Sequence, residues 1–467
     1  MRPAIVLAAG AGRKFWPYNE VRNKCAFPIA NEPLVARIVR QVRTAGFAPI
    51  VVVVGHQERS IRAALRTVGG SDLIFARQPA SAPGTAAALA AGIEALGGLQ
   101  EATGILAVYG DCVVRQSDLA ATWQAVQQGA SAAALVAPLH GDRPQDWIVC
   151  RLRTRSAGAV LQDIEGHGRD GTHRFAGVFA LALPALPYLN AAPGVMTHVP
   201  VGGMPPVESE LTDVLATMQD DGIEVAGVEA AHPCVDLDKP WHILQANRAV
   251  LQEKAAALTE CQIAPTARID DGAEISGPVL VEDGAIIGKR VILEGPAWVG
   301  AGARVVNGAI VRQGTFIGAR SRVSDYCLVG EGCTIGNECI VGHGAEFDGV
   351  MLDRAYIYHY SEIAGVLGMA VDIGAATVCG TLRFDDADTI HRIAGRRELP
   401  GEGANATYFG DYSRTGVNVI TQPGVKIGAY SCVGPGIVLY ADVPSRKLLL
   451  LKQETIARDW GPERYGW

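Results

Sequence analysis

The sequence predicts two architectures in one chain: an α/β domain with a Rossmann-like sheet, then a left-handed parallel β-helix of hexapeptide repeats. Three observations predict it. Short apolar runs alternate with helical segments through the first half. From Ile263 every sixth residue is aliphatic or aromatic, without a miss as far as Phe347, which makes fifteen positions. At 467 residues the chain also exceeds what one hydrophobic core organises.

In the first half, Ala4–Leu7 reads as a strand that stops at Gly10-Ala11-Gly12. Leu34, Val35, Ile38, Val39 and Val42 recur at helical spacing. Ile50–Val54 is continuous and β-branched, the pattern of a strand buried on both faces. A helical segment over Arg59–Val68 precedes a short strand at Leu73–Phe75, and the alanine-rich stretch Thr85–Leu96 has high helix propensity. Ile105–Tyr109 is the next apolar run and ends at Gly110-Asp111. This order predicts a parallel sheet with helices on both faces. Ligands of such sheets bind beyond the carboxyl ends of the strands, so the loops at Gly10 and Gly110-Asp111 should open on one crevice.

In the second half, the residue four places after each aliphatic position is small or β-branched, as at Ala273, Ala285, Ala297, Ala309 and Ser321. No helix keeps a period of six on one face, and an ordinary strand repeats every two. Short flat strands with a corner every six residues satisfy it, the aliphatic side chain entering a triangular prism and the small one fitting the corner. Cys327, Cys333 and Cys339 stand in this corner column, which gives them a structural role. The period fails at Asp353, resumes through Ile357 and Ile363, breaks over Arg383–Tyr412 and returns at Ile427, Val433 and Leu439. The break, rich in charge and glycine, reads as an external loop at about 383–412. The expected division is therefore an α/β domain over 1–238, a linker helix within 239–260, a β-helix over 261–445 and a tail over 446–467. That tail carries Trp460 and Trp467, aromatic side chains able to dock on the domain. Stacked coils need capping at their ends, and flat prism faces favour a homotrimer.

Composition narrows the function. A net charge of −7 argues against a nucleic-acid partner, which needs a basic surface. No apolar run approaches a membrane span, and the first residues lack the pattern of a signal peptide. Ten cysteines without a C-x-x-C pair read as reduced thiols, so the expected compartment is the cytoplasm.

A glycine loop after a strand lets backbone N–H groups approach a phosphate closely. Here Arg13 and Lys14 follow that loop directly and Lys24 lies ten residues beyond Lys14, cations suited to a triphosphate in an acidic protein. These residues resemble the sugar nucleotidyltransferase (NDP-sugar pyrophosphorylase) family, with its L-A-A-G-x-G-[TS]-R loop and Pro-Lys pair. Gln78 to Ala86 is similar to the family's Q-x(5)-G-T-A segment, Tyr109-Gly110-Asp111 to its strand-end G-D, and Val235 to Trp241 to its D-x-[DG]-T-P-W motif. The resemblance implies that a sugar-1-phosphate attacks the α-phosphate of a nucleoside triphosphate, UTP or dTTP, and pyrophosphate leaves. It implies Mg²⁺ on Asp111 and Asp236, the nucleotide on Leu7, Ala8, Ala9, Gly10, Gly12, Gln78, Gly84 and Thr85, and the sugar beside Tyr109, Gly110, Glu165 and Gly177. Lys24 would hold the sugar phosphate, and Arg13 and Lys14 the leaving pyrophosphate. Lys14 stands where the family has arginine, and Asn23 stands where it has proline before the second lysine.

The whole chain resembles the bifunctional N-acetylglucosamine-1-phosphate uridylyltransferase/glucosamine-1-phosphate acetyltransferase family. The residues that carry this are Tyr358-His359-Tyr360, Gly374-Ala375-Ala376-Thr377, Leu382-Arg383-Phe384-Asp385, Thr415 to Asn418 and Pro423 to Gly428. The resemblance implies acetyl-CoA as a second-site substrate, with His359 as the general base that takes a proton from a sugar amine. Thr381 and Glu362 replace an asparagine and a tyrosine of that pattern, and one residue is missing between His359 and Gly374. Three readings stay open: a bifunctional enzyme, a nucleotidyltransferase on an oligomerising scaffold, and a sugar-nucleotide-binding protein.

Overall fold

The computed structural model describes residues 1–99, 101–139, 143–156, 158–166, 168, 170–190, 209–393 and 395–462. Trp467 lies outside the described residues, and Trp460 is 72 % exposed. The N-terminal domain is built on a nine-stranded sheet. Its strands, in chain order, are β1 (Ala4–Ala8), β2 (Ile50–Val54), β3 (Leu73–Arg77), β4 (Gly104–Tyr109), β5 (Ala132–Pro138), β6 (Ile148–Arg155), β7 (Gly158–Gly166), β8 (His173–Ala182) and β9 (Val225–Glu229). They lie in the order β3-β2-β1-β4-β8-β5-β9-β7-β6.

The sheet is mixed, not wholly parallel as the β-then-α order predicts. β1 to β4 pair in parallel, with Ala4 opposite Ile50 and Leu7 opposite Tyr109. β8 then enters antiparallel between β4 and β5, and β6 and β7 form an antiparallel hairpin at the far edge. The alternation rule fails after Pro138 because the next connections carry strands and no crossover helix. Helices α1 (Leu34–Thr44), α2 (Glu58–Ala64), α4 (Gln116–Gln127) and α6 (His242–Ala257) cover one face, while α3 (Thr85–Ala95) and α5 (Leu211–Asp220) cover the other. Alternate residues of β1 split accordingly, Val6 joining one core and Ile5 the other.

From Gln262 the chain winds through short parallel strands stacked as a solenoid, whose interior is a separate core. Val329 pairs with Phe347, eighteen residues on, but Phe347 pairs with Ile363, sixteen residues on. One corner has been cut. Glu346–Met351 and Glu362–Leu367 run straight for six residues where neighbouring strands have two or three. Gly349 and Gly365 stack at the crossing with φ of +135° and +142°, where a side chain would overlap the next backbone. The lost period at Asp353 is thus a shortened coil, not an end of the fold. The interruption at 383–412 holds a hairpin, His391–Ile393 with Arg396–Glu398, and the chain is back in the solenoid by Thr407–Phe409.

The two parts share apolar surface. Trp298, Val350, Leu352, Val366, Ile393 and Tyr408 of the second half belong to the same core as Phe15, Tyr18 and Phe27 of the first. Those three aromatics pack at 5.3–5.8 Å between ring centres, and the Tyr18 hydroxyl donates to the Val366 carbonyl at 2.8 Å. Burying one such side chain stabilises by about 2–3 kcal/mol.

Candidate active site

β1 ends in the glycine loop, where Gly12 has φ +58°, a conformation glycine adopts without strain. The loop is pinned from behind by Asn23, whose Nδ2 donates to the carbonyls of Ala8 (3.2 Å), Gly10 (3.0 Å) and His56 (2.8 Å). Asn23 also caps the single 3₁₀ turn Lys24–Ala26, its Oδ1 accepting from the Cys25 N–H. A proline here could make none of these bonds. Asn23 was read in the sequence only as a departure from the family pattern, and its structural work had no sequence signal.

The loop, the end of β4 and the start of α3 enclose a cavity of about 840 Å³. Leu7, Ala9, Gly10, Gly12, Arg13 and Lys24 line one side. Gln78, Gly84 and Thr85 line another, and Tyr109, Asp111 and Asp236 close the floor. Ala8 is buried behind this wall. Gly110 donates its N–H to the Leu7 carbonyl at 2.8 Å. Gly177 has φ +78° and faces Cys112 and Tyr109 so closely that a Cβ would overlap the Cys112 sulfur. Glu165 sits elsewhere, exposed on the β7 edge and away from the cavity wall.

Gln78 donates Nε2 to the Ala82 and Gly84 carbonyls at 2.9 and 2.8 Å, which shapes the turn into α3. Thr85 opens that helix, its hydroxyl donating to Glu210 at 2.5 Å and accepting from the Leu211 N–H at 2.8 Å. Glu210 also lines the cavity, and no motif pointed to it.

Asp111 and Asp236 meet although 125 residues separate them, because Val235–Asp236 pairs antiparallel with Cys112–Val113. Lys24 forms an ion pair with Asp111. Asp238, inside the motif over 235–241, accepts from Lys14 at 3.4 Å and lies 3.4 Å from Lys239 and 4.0 Å from Lys24. Burial pushes the Asp236 carboxyl up to about 7, and the Asp111 charge adds to this. Asp238 goes the other way: burial opposes its charge, but Lys14, Lys24 and Lys239 hold it well below the usual range. Burial works against the Lys24 ammonium too, yet the three aspartates raise it well above its ordinary value.

A divalent cation fits here. Asp236 Oδ1 is buried without a hydrogen-bond partner, and the ligand atoms of Asp111, Cys112 and Asp236 lie within 4.8 Å of one another. Two hard carboxylates that burial disfavours as free anions are what such an ion neutralises.

His359 lies in the solenoid and does not line this cavity. Its ring packs against His343 at 4.2 Å between centres, its Nδ1 is buried without a partner, and His343 Nε2 bonds the Tyr360 hydroxyl at 2.9 Å. Tyr326 and Tyr360 are both 66 % exposed along the same corner, and Leu382 and Phe384 project into solvent nearby in sequence. The match of His359 to Gly374–Thr377 across coils is direct, since the Ala376 N–H donates to the His359 carbonyl at 2.9 Å.

Residues 4–180 match the model of the MobA-like NTP transferase domain. The chain is 25 % identical over 444 residues to a bifunctional sugar-1-phosphate nucleotidylyltransferase/acetyltransferase of Sulfurisphaera tokodaii, covering 94 % of this chain and 98 % of that protein. It is 26 % identical to the bifunctional protein GlmU of Methanococcus maripaludis, covering 97 % of this chain and 98 % of the relative. The same identity holds for GlmU of Chromobacterium violaceum, over 97 % of this chain and 96 % of the relative. Residues 4–180 thus match a MobA-like NTP transferase domain, and over nearly its whole length the chain is similar to bifunctional sugar-1-phosphate nucleotidylyltransferase/acetyltransferases.

Proposed function

We propose that the protein transfers a nucleotidyl group from a pyrimidine nucleoside triphosphate, UTP or dTTP, to a sugar-1-phosphate and releases pyrophosphate. The observation that carries this reading is the convergence of Asp111, Asp236 and Lys24 under the glycine loop in one cavity. The backbone N–H groups of Ala9 to Gly12 cradle the phosphates, as an anion-binding turn does. Arg13 and Lys14 neutralise the leaving pyrophosphate, and Lys24 exchanges its Asp111 partner for the sugar phosphate. That phosphate is already anionic, so no general base is needed, and its oxygen attacks the α-phosphorus in line as the α–β bond breaks. Asp111 and Asp236 would hold Mg²⁺, which supplies charge neutralisation at the reacting phosphate. Gln78, Gly84 and Thr85 seat the nucleotide, while Gly177, Tyr109 and Gly110 leave room for the sugar.

The β-helix in this proposal is a second enzyme. His359, with an unpartnered ring nitrogen, takes a proton from a sugar amine as nitrogen attacks the acetyl carbonyl of acetyl-CoA and the thiol leaves. The division into domains follows as 1–238, 239–260 and 261–445, and three copies associate through the flat prism faces. Among the described residues no helix is long and apolar enough to cross a membrane, which fits work in the cytosol.

The test uses Mg²⁺ with a panel of triphosphates and sugar-1-phosphates, reading pyrophosphate, and separately acetyl-CoA with amino-sugar phosphates, reading free thiol. Asp111→Ala should abolish pyrophosphate release with the fold retained, and His359→Ala should remove thiol release alone. Unchanged turnover in the first variant removes the proposed site. No thiol release from the unaltered protein with any amino sugar leaves the β-helix as a scaffold, and light scattering from a monomer rules out the trimer.

A further inference from the structure

The reactive carboxylates are wired to the β-helix. Lys239 is 2 % exposed and Glu398 is 4 % exposed, and they meet at 3.0 Å. Lys239 lies on the segment that carries Asp236 and Asp238. Glu398 lies on the hairpin His391–Ile393 with Arg396–Glu398, inserted between two coils of the solenoid, where it pairs with His391. The hairpin is held against the catalytic domain by Arg396, whose Nη2 donates to the Gln145 carbonyl at 2.9 Å and lies 3.8 Å from Asp146. Ile393 enters the same core as Trp241, and the ring of His391 packs on Trp241 at 4.8 Å.

The charges alternate along this path. Lys14 and Lys24 face Asp238, Asp238 faces Lys239, and Lys239 faces Glu398. Lys239 is nearer Glu398 than Asp238. The half-buried Asp238 and the buried Glu398 therefore share one ammonium, and only part of its charge acts on the aspartates of the cavity. A buried charge with its partner removed is not screened, so its field acts on whatever carboxylates remain.

We propose that Glu398 is a positioning residue for the nucleotidyl-transfer site: it draws Lys239 away from the cation-binding aspartates and so sets their affinity for a divalent ion. The proposal rests on the reading of Asp111 and Asp236 as cation ligands. It gives the hairpin a purpose the solenoid does not need, and makes the catalytic site incomplete without the β-helix. It also accounts for the burial of Lys239 beside Asp238, although Lys239 does not line the cavity.

The experiment titrates the full-length protein with Mn²⁺ alone, reading the free ion by its EPR signal. Pyrophosphate release against Mg²⁺ concentration is measured in parallel. Glu398→Gln should weaken Mn²⁺ binding roughly tenfold, the usual cost of altering a group behind a metal ligand, and raise half-saturating Mg²⁺ with little change in kcat. Lys239→Met should act in the opposite sense and tighten Mn²⁺. The double variant should bind about as well as the unaltered protein. A purely structural hairpin would move both single variants the same way or neither, and either result overturns the proposal. Should Glu398→Gln fail to fold, Lys239→Met is compared with the double variant, which leaves no unpaired buried charge. Equal Mn²⁺ affinity in those two then overturns it. Asp111→Ala separates the two readings. If it leaves Mn²⁺ binding intact, the cation site itself is wrong. If it abolishes binding while Glu398→Gln changes nothing, only the role of Glu398 falls.

Discussion

Arg22 of the catalytic domain and Asp411 of the β-helix form an ion pair at 2.7 Å with both side chains almost wholly buried. The same carboxylate oxygen also accepts from the Met369 N–H at 2.7 Å. Arg22 is two residues from Lys24, so this pair anchors the segment that delivers the cavity's lysine.

Breaking it from one side should be costly. Asp411→Asn leaves a buried guanidinium without its counter-charge and is expected to lower stability by about 3–5 kcal/mol. Arg22→Met with Asp411→Leu should cost much less, because Arg22 Nη1 and Asp411 Oδ2 already lack partners. Denaturant unfolding of the three proteins measures this. Equal losses in the single and double variants would contradict it.

Cation binding should depend on pH near neutrality. The Asp236 carboxyl, raised to about 7 by burial and by Asp111, keeps its proton until that pH. Below about pH 7 a divalent ion must displace a proton, so Mg²⁺ affinity should fall as the pH drops. In the ion-free protein the sign for stability is fixed by the same shift: the unfolded carboxyl ionises first, so stability contributed by this group declines as pH rises from about 4 to about 7. In the ion-free protein, Asp111→Asn removes one cause and should move this loss of stability to lower pH, as thermal unfolding across that range would record.

Gly177→Ala should damage both fold and site. Its φ of +78° disfavours any side chain, and the new methyl would strike the Cys112 sulfur beside Asp111. A loss of about 2–3 kcal/mol is expected from strain and overpacking together. Adding Cys112→Ala should restore part of it by relieving the contact and leaving the backbone strain. Thermal unfolding of the single and double variants decides, and no recovery would place the cost in the backbone alone.

Acid should unfold the protein through His242. The ring is buried, stacks on Trp147 at 5.3 Å and accepts from the Asp238 N–H at 3.2 Å. Burial lowers it to about 3, and the Lys239 charge adds to this. Because the folded value lies below the unfolded one of 6.5, the stability is whole above pH 6.5 and is lost as pH falls toward 3. His242→Gln, which can still accept from Asp238, should flatten that limb of a melting-temperature profile. An unchanged slope between pH 6 and 4 would refute the assignment.

Fifteen aliphatic or aromatic residues at a spacing of six determined the β-helix without help, since only a coil with regular corners turns them all to one interior. The run from β1 to β4 was legible for a similar reason, each strand being a continuous apolar segment closed by a glycine turn. The glycine loop with its cations and Asp111 could be read because each follows such a segment, where side chains reach the crevice, whereas Asp236 was legible only through its resemblance to a family motif. What tertiary structure decided lies between segments. The antiparallel entry of β8, the tie from Asn23 to three carbonyls, and the contacts of Glu398 and Asp411 with the catalytic domain join residues far apart in the chain. A local pattern records which face of its own element is apolar. It holds no term for the charge or the carbonyl that folding brings to the other face.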